Sequence, residues 1–370
     1  MRERKELYSR PMRVAATVRV ALTFVGCLVG AGFLSGQELW QFFGSKGVWS
    51  FAGLALALLL IAACGAVILS FAIASDEVRM DRIIVWFDCP WLRALVALFE
   101  GLFLFMVYLL NVAAVGSLVA QIFGLSVFVG GLVFCVVCTA LSVAGVTGLA
   151  RVLSGLMPVL IAVTAALACV SVATGDGMRF PVVKIDGLVS GNWLLDGFIY
   201  TTFCMFCAIP VLVPLQKSVP SARLGRRGIL IGGLLFGVLA VLILLALATD
   251  PQVTDTALPM LTLAFSKSGL IGFFYAVLLI FGILSSGISS QSALNEYFTQ
   301  RLPRARRFLL PASALMSLLA FLLGLLGFER LVGILYPLFG YIGVLPLLLL
   351  LLHAVLFYRQ KKSRNKKRRI

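Results

Sequence analysis

Glu38 ends the stretch Gly26–Glu38, GCLVGAGFLSGQE, inside the first long apolar segment. An acid at membrane depth is costly, so it either marks a solute or ion path or is paired with a neighbour. Gly26, Gly30, Gly32 and Gly36 precede it, and glycine permits backbone shapes that other residues resist. Unwound backbone within a bilayer is tolerated only against protein or a hydrated cavity. Small residues also let two helices approach closely. Glycines followed directly by Gln37 and Glu38 favour a functional break over a packing seam.

Three further apolar stretches carry polar chemistry. In the third, Glu100 and Asn111 stand eleven residues apart, about 1100° around a helix, so they share a face roughly 16 Å apart in height. Tyr108 lies between them. Glu100 reads equally as a gate or coupling group and as a structural partner of Arg93 or Arg151, whereas Asn111 suits a helix-packing hydrogen bond. The sixth stretch places Tyr200, Thr201, Thr202, Phe203 and Cys204 ahead of Pro210 and Pro214, and each proline interrupts the helical ladder. Either a packed kink or a binding break satisfies that pattern, and Asp196 at its start suits a cap.

The eighth stretch, FGILSSGISSQSALNE, sets Ser285, Ser286, Ser289, Ser290 and Ser292 among Gly282 and Gly287. Their hydroxyls can bond within or between helices. Together with an unwound carbonyl they also suit a hard cation, which takes oxygen ligands at about 2.3–2.6 Å. Cys135-x-x-Cys138 and Cys204-x-x-Cys207 have metal or redox spacing. They sit in apolar surroundings far from His353, the only histidine, and fit small buried hydrophobes better.

These groups need a scaffold, and composition indicates which. Hydrophobic residues are 61% of the 370, and the mean hydropathy is +1.07, more apolar surface than a soluble domain can hide. The chain reads as an all-α polytopic membrane protein. Ten spans fit near 15–43, 50–74, 91–123, 126–144, 149–173, 192–216, 228–248, 269–297, 307–327 and 331–357, given about twenty residues per crossing. The third and eighth are long, which implies tilt or extension beyond the lipid. The basic N-terminus followed by an apolar run without a convincing cleavage site suggests a retained first helix.

Charge sets the orientation. The net charge is +16, and with the N-terminus inside only Lys46, Arg179, Lys184, Lys267 and Arg330 fall outside. Both termini are therefore expected in the cytoplasm, with the basic tail 358–370 beside anionic lipid. No folded nucleic-acid recognition module accompanies that tail, so nucleic acid is not an expected partner. Outer loops are expected at 174–191 and 250–268. In the second, TALPMLTLAF is short for a span and suits a lid or plain packing. No phosphate-binding loop, zinc-protease helix or serine-hydrolase elbow is present, so enzymatic chemistry is not expected.

The stretch VGAGFLSGQELWQFF, Val29 to Phe43, resembles the signature of the YkvI-like bacterial membrane proteins. These are similar to, and distantly related to, the amino acid–polyamine–organocation transporter superfamily. The resemblance implies one transporter domain over 1–357, LeuT-like, built from inverted five-helix repeats at about 15–173 and 192–357, with helices 1 and 6 discontinuous. It places a small organic solute between them, bordered by Gly30, Ala31, Gly32 and Phe33, by Phe203, Cys204 and Phe206, and by Tyr108 or Asn111.

Sodium-coupled members of that superfamily hold a cation between the first-helix break and the eighth helix. The carry-over puts it near the carbonyls of Cys27, Gly30 and Gly282 and the hydroxyls of Ser285 and Ser286. No other cofactor is implied. Some proton-coupled relatives use a fifth-helix lysine instead; this fifth span offers only Arg151, at its end. Glu38 and Glu100 keep proton coupling open. The sixth helix departs from many relatives by lacking a glycine-rich break. Expected function is symport of an amino acid or related compound across a bacterial inner membrane. Alternatives are proton coupling or a solute sensor of the germination-receptor kind. Oligomeric state is not set by the sequence.

Overall fold

The computed structural model describes residues 10–76, 80–144, 155–175, 177–182, 187–301 and 309–367. The chain begins with α1 (Arg10–Leu28), then two fragments, α2 (Ala31–Leu34) and α3 (Gln37–Leu39), and a π turn at Trp40–Gly44. After the 3-10 turn Gly47–Trp49 come α4 (Ser50–Ser75), α5 (Met80–Ile84), α6 (Pro90–Phe123), α7 (Val127–Val143) and α8 (Met157–Thr174). The rest is α9 (Trp193–Leu215), α10 (Ala222–Thr249), α11 (Pro259–Lys267), α12 (Gly269–Arg301), α13 (Leu309–Gly324) and α14 (Phe328–Lys367).

The chain is a multi-pass, all-α membrane protein. Among the described residues, seven helices are long and apolar enough to cross a bilayer, and two shorter apolar ones, α7 and α13, join them. Local chemistry sets many ends. Pro90 opens α6, where its missing N–H costs nothing, and Gly124 closes it in the left-handed region. Asn192 caps α9 by accepting from Leu194 N–H at 2.9 Å, and Ser126 and Ser221 cap α7 and α10. The third and eighth apolar stretches are long, as expected, at 34 and 33 residues.

Two packed groups result. α1, α4, α9 and α10 contact one another, and so do α6, α7, α12 and α13. α14 bridges α9 and α6, while α8 sits between α10 and α12. Helix ends sort into two sets. At the basic end, Tyr297 of α12 donates to Ala97 O of α6 at 2.5 Å, and His353 of α14 meets Ile83 O at 2.8 Å. At the opposite end, Trp49 stacks on Trp193 with ring centroids 5.4 Å apart.

The expected break in the sixth span is corrected: α9 runs unbroken from Trp193 to Leu215 with Pro210 and Pro214 inside it. The Cys204-Met-Phe-Cys207 stretch holds no glycine. Thr201 and Thr202 return their hydroxyls to Gly197 O and Ile199 O, both at 2.8 Å, which leaves the helix intact. The basic tail likewise continues α14 as helix to Lys367.

Candidate functional site

The first segment is interrupted twice. Gly30, at φ −113° and ψ −175°, is extended and ends the ladder of α1. Helical bonding resumes with Leu34 N–H to Gly30 O at 3.0 Å and Ser35 N–H to Ala31 O at 2.9 Å. The second interruption is Gly36, at φ +82°, in the left-handed region that a side chain resists. A Cβ there would also lie 2.9 Å from Leu247 Cδ1 and 3.1 Å from Met260 Cγ. Ser35 bridges the gap, donating to Gly32 O at 2.9 Å and accepting from Gln37 N–H at 3.3 Å.

The first interruption opens onto a cavity of about 630 Å³. Gly26, Val29, Gly30 and Ala31 face Gly282, Ser285 and Ser286 of α12 across it. Its walls are Met157, Pro158, Leu160 and Ile161 of α8 and Leu235, Val238, Leu239 and Leu242 of α10. Behind Ser286, Asn111 Nδ2 donates to its Oγ at 3.0 Å and to Val107 O at 2.8 Å. The structure therefore gathers Gly30, Ala31, Gly282, Ser285 and Ser286 around one space, with Asn111 one hydrogen bond away. Cys27 does not line it, and its thiol donates to Phe24 O at 3.1 Å.

Above the break, Glu38 is 2% exposed. Tyr200 O–H donates to its Oε1 at 2.7 Å. Its Oε2 lies over Gly32, where a Cβ would stand 3.2 Å from that oxygen and 2.6 Å from the Tyr336 hydroxyl. Gly32 is thus the residue that lets α14 and the Glu38 carboxylate meet over the first segment. Among the described residues no lysine or arginine pairs with Glu38.

Other expected residues lie elsewhere. Phe33 stacks on Phe236 of α10 at 4.7 Å, and Phe203 on Tyr336 of α14 at 4.4 Å. Phe206 packs edge-on against Phe103 at 5.1 Å, and Cys204 is buried in α9. None of these four lines the cavity. Tyr108 is not brought to the break either: its hydroxyl is 2.9 Å from Ser317 Oγ, which is 2.6 Å from Thr139 Oγ1, within the second helix group. Glu100 is half-buried on α6, and Arg93 pairs with Asp88 at 3.5 Å. Arg151, Asp176, Lys184 and Asp186 lie outside the described residues.

The end opposite the basic one is sealed by contacts the spacing of residues did not reveal. Lys46 pairs with Asp196 at 2.9 Å, the two side chains 4% and 1% exposed, and Lys46 also donates to Phe42 O. Burial lowers the Lys46 pKa from its ordinary value, and the Asp196 carboxylate opposes that shift. Asp196 further accepts from Ser190 N–H and O–H, both at 2.8 Å, and from Gly191 N–H at 3.0 Å. Met260 N–H of α11 bonds Ser35 O at 2.9 Å, Tyr275 O–H bonds Leu34 O at 2.8 Å, and Gln41 Nε2 bonds Glu329 O at 2.8 Å. Lys46, Asp196 and Tyr336 carry no motif. Only their meeting across distant segments distinguishes them.

No family model matches the chain. Among solved structures it resembles the manganese transporter of Eremococcus coleocola. A single-substitution mutant of that transporter gives a TM-score of 0.60 at 14% identity, covering 91% of this chain and 78% of that one. The complex with an aromatic bis-isothiourea compound gives 0.54, also at 14% identity and with the same coverage. The architecture is thus similar to that of a manganese transporter. Among curated proteins, YyaD of Bacillus subtilis is 21% identical over 357 residues, 92% of this chain and 98% of that protein. The sequence resemblance is matched in the same organism: the chain is homologous to the membrane protein YkvI of Bacillus subtilis, 24% identical over 327 residues, 88% of this chain and 92% of that protein.

Proposed function

We propose that the chain is a secondary active symporter of a small organic solute, an amino acid or related compound, driven by sodium. The observation that carries this is the extended break at Gly30 facing Gly282, Ser285 and Ser286 across the cavity. Broken helix at membrane depth supplies backbone groups to a solute, and neighbouring hydroxyls complete the oxygens that sodium takes. Ten spans in two inverted repeats, with both termini cytoplasmic in a bacterial inner membrane, suit the two helix groups and the basic end. The cavity then lies on the cytoplasmic side of the sealed end, so the conformation is closed outward. Transport follows if solute and ion bound together favour closure of the outer gate, and an inward opening then releases both.

Among the described residues no cluster of three His, Cys, Asp or Glu side chains exists to hold a transition metal, so the manganese of the structural neighbour is not carried over. Glu38 supports a second reading, proton coupling, because it is buried with a tyrosine hydroxyl and without a cation.

The test is uptake of labelled amino acids by the full chain in proteoliposomes. An inward sodium gradient is expected to raise uptake several-fold, and Ser285→Ala with Ser286→Ala to raise the sodium needed by about tenfold. Equal uptake with potassium in place of sodium removes the sodium claim. Uptake driven by a pH gradient and abolished by Glu38→Gln selects the proton reading. Saturable binding without accumulation points to a sensor.

A further inference from the structure

A second cavity, an open groove of about 690 Å³, lies at the basic end between α4, α10 and α14. Its lower wall is apolar, with the outward-facing Val67 40% exposed. Its rim carries Arg226, Arg359 and Lys361, with Tyr358 beside them. All four belong to helix turns where apolar sequence gives way to charge, the level of lipid headgroups. Among the described residues no carboxylate pairs with any of the three cations, and Lys361 rests over the Phe357 ring at 5.5 Å. Ser70, 9% exposed, lines the same wall with its Oγ turned into the protein. Ser70 lies five residues before the end of α4, about 7.5 Å along the helix.

We infer that this groove binds one anionic phospholipid. The phosphate is held by Arg226, Arg359 and Lys361, and an acyl chain lies along Val67. Three cations above an apolar wall match a molecule that is anionic at one end and aliphatic at the other. Soluble anions match only the rim, and zwitterionic lipids only the wall. The assignment stands apart from transport and survives if the chain proves to be a sensor.

The test is native mass spectrometry and thermal unfolding of the full-length protein in detergent, with phosphatidylglycerol, phosphatidylcholine of the same chains, or inorganic phosphate. Phosphatidylglycerol is expected to be retained at least about tenfold better than phosphatidylcholine and to raise the Tm. R226Q/R359Q/K361Q is expected to bring the two lipids level. R82Q/R93Q/K217Q, which removes the same charge elsewhere, is expected to keep the preference. V67W, which fills the groove and keeps every charge, is expected to lower retention of phosphatidylglycerol. Four results would each overturn the inference. These are equal retention of both lipids by the unmodified protein, a preference that survives R226Q/R359Q/K361Q, full phosphatidylglycerol retention in V67W, and stabilisation by inorganic phosphate equal to that by phosphatidylglycerol.

Discussion

Glu38 faces a tyrosine hydroxyl, a second tyrosine and the bare backbone of Gly32, and burial leaves no water to solvate its charge. A carboxylate buried in that position is costly unless a partner meets its charge. Glu38→Gln keeps the shape and the acceptor for Tyr200 while removing the charge. Under proton coupling it is expected to lower proteoliposome uptake at least tenfold, with the detergent-solubilised protein still eluting as one folded species. Tyr200→Phe removes one donor and is expected to cost about 1–3 kcal/mol in stability, since the carboxylate then stays buried without its hydroxyl. Gly36 makes the opposite case, a residue chosen for backbone alone. Gly36→Ala is expected to destabilise by roughly 1–3 kcal/mol, read as a lower Tm, because φ +82° strains any side chain and the Cβ would press on Leu247.

The first segment and α9 are joined at one end as a single body. The Lys46–Asp196 pair, the Trp49–Trp193 stack and the packing of Phe42 and Phe43 on Tyr200 all tie them. Movement of the first segment at that end is therefore expected to carry α9 with it. The yielding seams are then the single hydrogen bonds to α11, α12 and α14. Removing one partner of a buried ion pair strands the other charge, so Lys46→Met and Asp196→Leu alone are each expected to cost about 3–5 kcal/mol. The pair together is expected to cost less than the sum of the two, because no charge is stranded, although Ser190 and Gly191 lose their acceptor whenever Asp196 is replaced. A double-mutant cycle in thermal unfolding measures the difference. Pro210 and Pro214 teach a related lesson. Proline removes one ladder bond, but without glycine nearby, and with threonine hydroxyls returned to carbonyls, the helix of α9 absorbs both.

Across the whole molecule, one end is sealed while a cavity lies on the other side of the break, and the basic residues crowd the cavity's end. With that end cytoplasmic, reporters fused to either terminus are expected to read inside, and protease added to inside-out vesicles is expected to cut both. A terminus protected in such vesicles overturns the orientation. The membrane class, the long third and eighth helices and the weak point at Gly30–Gly36 were legible in the sequence. Hydropathy, span length and glycine conformation are local properties, and each leaves its mark within about twenty residues. The serines of α12 were legible as a polar patch for the same reason. Which residues face them was not. Asn111 reaches Ser286 across 175 positions and Tyr200 reaches Glu38 across 162, contacts set by how helices rotate and cross. Phe33, Phe203 and Tyr108 share the same sequence neighbourhoods as the site yet turn to Phe236, Tyr336 and Ser317. The sequence by itself determined that the chain lives in a membrane and that its first helix yields at those glycines, because both follow from local chemistry. Only the tertiary structure decided which side chains share the cavity and which ion pair closes the far end, because those depend on helix rotation and packing between segments far apart in the chain.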